Sequence, residues 1–173
     1  IGRWLGERLR TKKQKIGIIA DWKMSEAVQA EISGLTEALE GSGSEISWCI
    51  YRRKEQNITE RMKEETKADA LVILDPGVLE EFGEQAEHGK YKGAELYGVG
   101  YNLKTVALLD KGNIQGLVVP DGYEIGYKSV EEMAKKLQHR FYKTKSAKTA
   151  IKMIRRDDLF QDEDIERFLY SYE

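Results

Sequence analysis

The chain has 173 residues, 40% hydrophobic and 34% charged, with 28 Lys and Arg against 30 Asp and Glu. A chain of that length suits one domain that buries roughly two thirds of its unfolded surface without help from a disulfide or a metal. The near balance of charge argues against a nucleic-acid surface, which needs a clustered excess of Lys and Arg, and no run of 18 apolar residues or signal peptide occurs.

In chain order, Ile1–Arg10 places Ile1, Leu5 and Leu9 at intervals of four with Trp4 beside them, an amphipathic helix that should pack on a sheet face. The basic run 8–15 is expected to be a solvated helix end and loop. Lys15–Ala20 is the first strand, with Asp21 and Trp22 at its carboxyl end. Ser25 caps a helix to about Glu40, whose inner face carries Val28, Ile32, Leu35 and Leu39, and the 41–44 turn ends it. Ile46–Tyr51 is the second strand; the lone Cys49, between Trp48 and Ile50, is expected to be a buried, inert thiol. A polar helix follows from Asn57, or the residue before it, to about Lys67.

Ala70–Leu74 is apolar on both faces and so is expected at the centre of a sheet. It ends at Asp75-Pro76-Gly77, before a short helix from Val78 to His88 that Gly89 stops. Leu96–Val99 and Gly116–Val119 are two more buried-strand runs, each followed by a helical pattern. After the helix from Gly122 to about Gln138 come a Lys/Ser-rich loop at 143–148, a last strand near Ala150–Ile154 and a helix from Asp162 to Tyr170. Six strands interleaved with helices imply an α/β fold: a doubly wound, mostly parallel six-stranded sheet with helices on both faces. In such sheets ligands bind at the carboxyl ends of the strands, where this chain carries Asp21, Trp22, Asp75, Tyr101, Asn102, Pro120 and Asp121.

The stretch 96–133, with its glycine-flanked strand, "D-K-G-N-I" turn, second strand and "Y-E-I-G-Y-K-S-V-E", resembles the carboxyl-terminal half of type I periplasmic sugar-binding proteins. The lactose-repressor-type regulators share that fold. IGRWLGERL before KIGIIAD is similar to the helix and strand that open the second lobe, and IKMIRRDDLF to the final strand, so the likeness covers nearly the whole chain. The resemblance implies a single lobe over 1–173, the second of two, with 122–145 as a crossover segment packing on an absent first lobe. The chain also begins inside a helical pattern with no capping residue.

For the site, the resemblance implies that Asp75 accepts hydrogen bonds from ligand hydroxyls, a task suited to an ionised carboxylate; Asp75 is also placed to cap the helix behind it. Many relatives have a ligand-binding Gln where Pro120 stands, so either Asp121 substitutes for it or Pro120-Asp121-Gly122 is a strand-ending turn. Glu31 stands three residues before Gly34, where relatives that bind pentoses or hexoses often have an Arg; a carboxylate cannot donate as a guanidinium does. Either the ligand differs or binding has been lost. Trp22 is placed to stack on an apolar sugar face or simply to pack.

His88 and His139 are the only histidines and neither ends a strand; with no His/Cys cluster at metal spacing, no catalytic residue, metal or cofactor is expected. Gly98-Val99-Gly100 lacks the remainder of a dinucleotide loop.

Three classes of function remain open. One is a non-catalytic module of an extracellular or periplasmic, membrane-anchored solute-binding protein, holding a small polar solute, which the resemblance implies is a sugar, for a transporter permease or a sensor, with no nucleic acid bound through this lobe. The second is the ligand-sensing lobe of a lactose-repressor-type regulator. The third is a degenerate receiver domain: Asp21 and Asp75 fit its pattern, but Pro120 follows the fifth strand where a Lys is needed. The apolar stripe from Tyr123 to Leu137 must be covered, and in the chain alone a second copy or the lobe itself is expected to do so.

Overall fold

The computed structural model describes residues 1–21, 25–52, 57–161 and 165. Its core is one six-stranded sheet in the order β2-β1-β3-β4-β5-β6. The strands are β1 (Lys15–Ala20), β2 (Glu45–Tyr51), β3 (Ala70–Ile73), β4 (Glu95–Val99), β5 (Gly116–Pro120) and β6 (Ile151–Ile154). The first five pair in parallel, and β6 runs antiparallel along β5.

Alternation along each strand divides the apolar residues into two cores. Ile16, Ile18 and Ala20 of β1, with Ala70 and Val72 of β3, meet the helices α1 (Gly2–Leu9) and α2 (Glu26–Leu39) through Leu5, Leu9, Val28, Leu35 and Leu39. Ile19, Leu71 and Ile73 face the other way, onto α4 (Pro76–Glu87) and α5 (Leu103–Asp110). Strands buried on both faces are what a parallel sheet with helices on each side demands.

The face on which each helix lies follows from the path of the chain. From β1 it steps outward to β2, then back past β1 to β3 and onward to β4 and β5. A constant hand of crossover puts the helix of the outward step, α2, on one face and those of the later steps on the other. α1 joins α2 at close range: a Cβ on Gly2 would fall 1.6 Å from the carbonyl oxygen of Glu31, and one on Gly6 would fall 2.6 Å from Cβ of Ala38.

Several boundaries differ from those expected. α3 spans only Ile58–Met62, because 63–66 turn away instead of continuing the polar helix. α4 starts at Pro76, two residues early, since Asp75 caps it and Pro needs no helical N–H partner at that position. β3 closes at Ile73. Cys49 is half-buried, not buried, since β2 is an edge strand at the margin of the packed layer. The basic run is largely exposed, as expected at Arg10, Lys12, Lys13 and Lys15, and Lys12 Nζ makes an exposed ion pair 2.6 Å from Oε1 of Glu95. The expected helix 162–170 falls almost entirely outside the described residues; ahead of it, Arg156–Phe160 form a 3-10 turn.

α6 (Gly122–Gln138) has no buried residue. Its Tyr123, Tyr127, Val130, Met133 and Leu137 are all more than 60% exposed. One polar stripe of α6 holds the returning chain: Glu124 accepts from the Ala150 N–H at 2.6 Å, Lys128 donates to the Lys148 carbonyl at 2.9 Å, and Glu132 accepts from the Lys145 N–H at 2.8 Å. Steps of four residues bring these three onto one face.

Candidate ligand-binding site

The reversal between the step to β2 and the step to β3 makes the carboxyl ends of β1 and β3 the switch point of the sheet, where a crevice opens. Asp21 follows β1 and Asp75 lies just beyond β3, so the topology alone places both there. Between them reaches Arg52, the first residue past β2. Its Nη2 lies 3.1 Å from Oδ2 of Asp75 and its Nε lies 3.7 Å from Oδ1 of Asp21.

The two carboxylates have different surroundings. Asp75 is nearly buried, and its Oδ1 accepts the Val78 N–H at 2.9 Å as the cap of α4. Capping and a place at the ligand edge, the two roles weighed for Asp75, are thus compatible. Asp21 is exposed, as is about half of Arg52. The cluster therefore shows solvent a guanidinium fork beside a carboxylate, backed by a second carboxylate that holds the fork in place. Sequence reasoning missed Arg52; its one local signal is a basic residue just past a strand that lies, in the sequence, between two strands each followed by an Asp.

The remaining candidates are dispersed. Asp121 is 1% exposed and caps α6, its Oδ1 accepting the Glu124 N–H at 2.8 Å; it begins a helix instead of a turn completed by Gly122. It follows β5, two strands from β3, or roughly 10 Å across the sheet. Tyr101, beyond β4, is half-buried against both cores. Asn102 caps α5 through the Thr105 N–H at 2.8 Å and donates to Glu80 at 3.1 Å. Glu31 lies in the second turn of α2 against the start of α1; burial pushes its carboxyl above the ordinary glutamate range, with the Ile1 amino group acting the other way. Trp22 lies outside the described residues.

Among the described residues no group of three His, Cys, Asp or Glu side chains is placed to hold a metal ion. The cluster offers hydrogen bonds and charge, which suffice for recognition.

Several solved structures share this arrangement of strands and helices. Over 92% of the chain it superposes, with a TM-score of 0.75 and 22% identity, on GanP, a glucose-galactose binding protein from Geobacillus stearothermophilus, spanning 59% of that chain. A carbohydrate transporter solute binding protein from Agrobacterium Radiobacter, in complex with D-arabinose, matches 96% of this chain with a TM-score of 0.76 and 18% identity, over 63% of its own length. The Caulobacter myo-inositol binding protein matches 95% with a TM-score of 0.77 and 14% identity, over 60% of its length. The chain has the fold of a lobe of the type I periplasmic sugar-binding proteins. All three are binding proteins, and the chain spans about three fifths of each. No protein-family model and no curated protein matches the sequence.

Proposed function

We propose that the chain is the second lobe of a two-lobe solute-binding protein, that it recognises a small polar solute, a sugar or related polyol, without catalysis, and that it works outside the cytoplasm with a membrane transporter or sensor. The observation that carries this is the Asp21–Arg52–Asp75 cluster at the switch point of a sheet whose solved counterparts include sugar- and inositol-binding proteins. Each hydroxyl of a polyol both donates and accepts, so adjacent hydroxyls match a guanidinium and a carboxylate standing side by side. Arg52 and Asp21 are the groups that meet the ligand, and Asp75 positions Arg52. An arginine here also supplies the donor that Glu31 cannot, from the end of β2 instead of from α2.

In this reading α6 packs on the other lobe, which covers its exposed stripe, and ligand held between the lobes favours their closed arrangement because it touches both only there. Titration calorimetry of the two-lobe protein with D-arabinose, D-galactose and myo-inositol tests the reading. Binding of one of them, weakened about tenfold or more in Arg52→Ala as expected for a lost charge-assisted hydrogen bond, is the expected result. Failure of all three to bind, or binding indifferent to Arg52, overturns it.

A further inference from the structure

At the opposite edge of the sheet, under the amino-terminal ends of β3 and β4, the chain forms an open crevice of about 280 Å³ lined by Trp48, Met62, Leu71, Tyr91, Lys67 and Lys92 among others. It exists because the two faces of the sheet are unequally covered at this end. On one face α2 runs for 14 residues; on the other, the described part of the connection from β2 to β3 holds the five-residue α3, whose last residue, Met62, stops at the cavity wall.

The aromatic walls are held in place. The indole Nε1 of Trp48 donates to the Thr66 carbonyl at 2.8 Å, and its ring lies across Gly17, where an added Cβ would come within 2.2 Å of it. Tyr91 stacks on Phe82 with ring centroids 4.8 Å apart and 5° between planes, and its hydroxyl donates to Gln85 at 2.7 Å. Its φ of 58° is the only positive value among the described non-glycine residues, a left-handed conformation that a bulky side chain rarely adopts. With the polar ends of both side chains already bonded, what they offer the cavity is apolar ring surface.

The charge beside that surface is specific in sign. Lys67, just before β3, and Lys92, just before β4, both line the cavity, and among the described residues neither ammonium group has an ion pair or hydrogen bond. Among the described lining residues Glu65 is the only acid, so cations outnumber anions there by two to one.

We propose that this crevice is a second binding site, for a small aromatic carboxylate: the ring enters between Trp48 and Tyr91, and the carboxylate stays at the mouth with Lys67 and Lys92. Apolar walls with a few convergent polar groups are the usual make-up of a small-molecule site, and a volume near the lower end of the range limits the occupant to one or two fused rings. Offset or edge contacts with the two aromatic side chains orient the ring, and a carboxylate gives both lysines a charge-assisted partner they otherwise lack. The site shares no residue with the Asp21–Arg52–Asp75 cluster, so it stands or falls independently of the sugar-binding proposal.

Heteronuclear NMR of the whole chain, titrated with 2-naphthoate and, as an uncharged control, 2-naphthamide, tests it. Expected are saturating shifts at the Trp48 indole N–H and the amides of Ala68 and Ala94, with those of Asp75 and Asp121 unmoved. Both lysines are exposed, so Lys67→Gln with Lys92→Gln should fold normally; it should weaken 2-naphthoate about tenfold and leave 2-naphthamide unchanged. No saturating shift at the crevice, equal affinity for acid and amide, or indifference of 2-naphthoate to the double variant overturns the proposal.

Discussion

Arg52 reaches across the end of β1 to place its Nη2 3.1 Å from Oδ2 of Asp75, two strands away in the sheet. Because Asp75 is nearly buried and Arg52 half exposed, the pair is worth more than a surface ion pair and less than a fully desolvated one. Arg52→Ala should cost about 1–3 kcal/mol, since a buried carboxylate loses a partner. Asp75→Asn removes the charge but keeps an effective helix cap, so a cycle of the two variants isolates the pair. Urea unfolding should give a coupling of about 1 kcal/mol; strictly additive effects would show that the pair contributes nothing.

Glu31 gives a pH-dependent prediction. Burial raises its carboxyl above the unfolded value, so the folded chain holds that proton more tightly than the unfolded chain does. The associated stability is present below the ordinary glutamate value and is lost as pH rises through the raised folded value. Glu31→Gln, which cannot ionise, should therefore be more stable than the parent at neutral pH, with the advantage shrinking toward about pH 4. Denaturant midpoints measured across that range check this; an advantage that grows on acidification would refute it.

The stripe on α6 predicts self-association of the isolated chain. Val130 and Leu137 are 68% and 81% exposed, and contiguous apolar surface of this kind marks an interface. Compared at a concentration low enough to dissociate the parent, Val130→Glu with Leu137→Glu should leave unfolding free energy within about 0.5 kcal/mol, as surface substitutions do, and where the parent is associated the variant should unfold at lower denaturant. It should also lower the mass seen by light scattering from dimer or larger to monomer. A parent that stays monomeric at every concentration would mean that the stripe tolerates water.

Glu132 of α6 is engaged three times: it accepts from the Tyr142 hydroxyl at 2.9 Å, the Lys145 N–H at 2.8 Å and the Lys135 ammonium at 3.4 Å. Those donors hold its pKa below the ordinary range, the Lys145 N–H first. Glu132→Ala should release the 142–146 backbone and raise its amide exchange about tenfold or more, while the sheet strands keep their protection. Unchanged exchange at Lys145 would show that this bond does not hold the segment.

Much of the fold was legible because its signals are local. β1 runs from Lys15 to Ala20 as its apolar run implies, and α6 from Gly122 to Gln138 as its stripe implies. α3 misled because 57–67 is rich in helix-forming residues but has too few apolar ones for a sustained inner face, and composition alone does not extend a helix that has little to pack on. Of the candidate site, the positions of Asp21 and Asp75 after neighbouring strands were legible. Its organising group was not: linking Arg52 to Asp75 requires knowing that β1 lies between β2 and β3, a long-range fact that no local pattern carries. Glu31 drew attention through its place relative to Gly34, whereas the structure puts it against α1, a contact fixed by the close approach of Gly2.

The antiparallel pairing of β5 with β6 begins at Pro120 opposite Ile151, and the Asp121 N–H donates to the Ala150 carbonyl at 2.9 Å. The two strands are therefore a hairpin, and everything from 121 to 150, α6 included, is its loop, leaving and rejoining the sheet through one narrow neck. Lengthening such a loop adds only logarithmically to its closure entropy. The excursion is thus a near-autonomous graft: α6 can swing, dock or be exchanged about that neck while every strand keeps its register, and a two-residue Asn-Gly turn from Pro120 to Ile151 would splice it out and leave the six-stranded sheet intact.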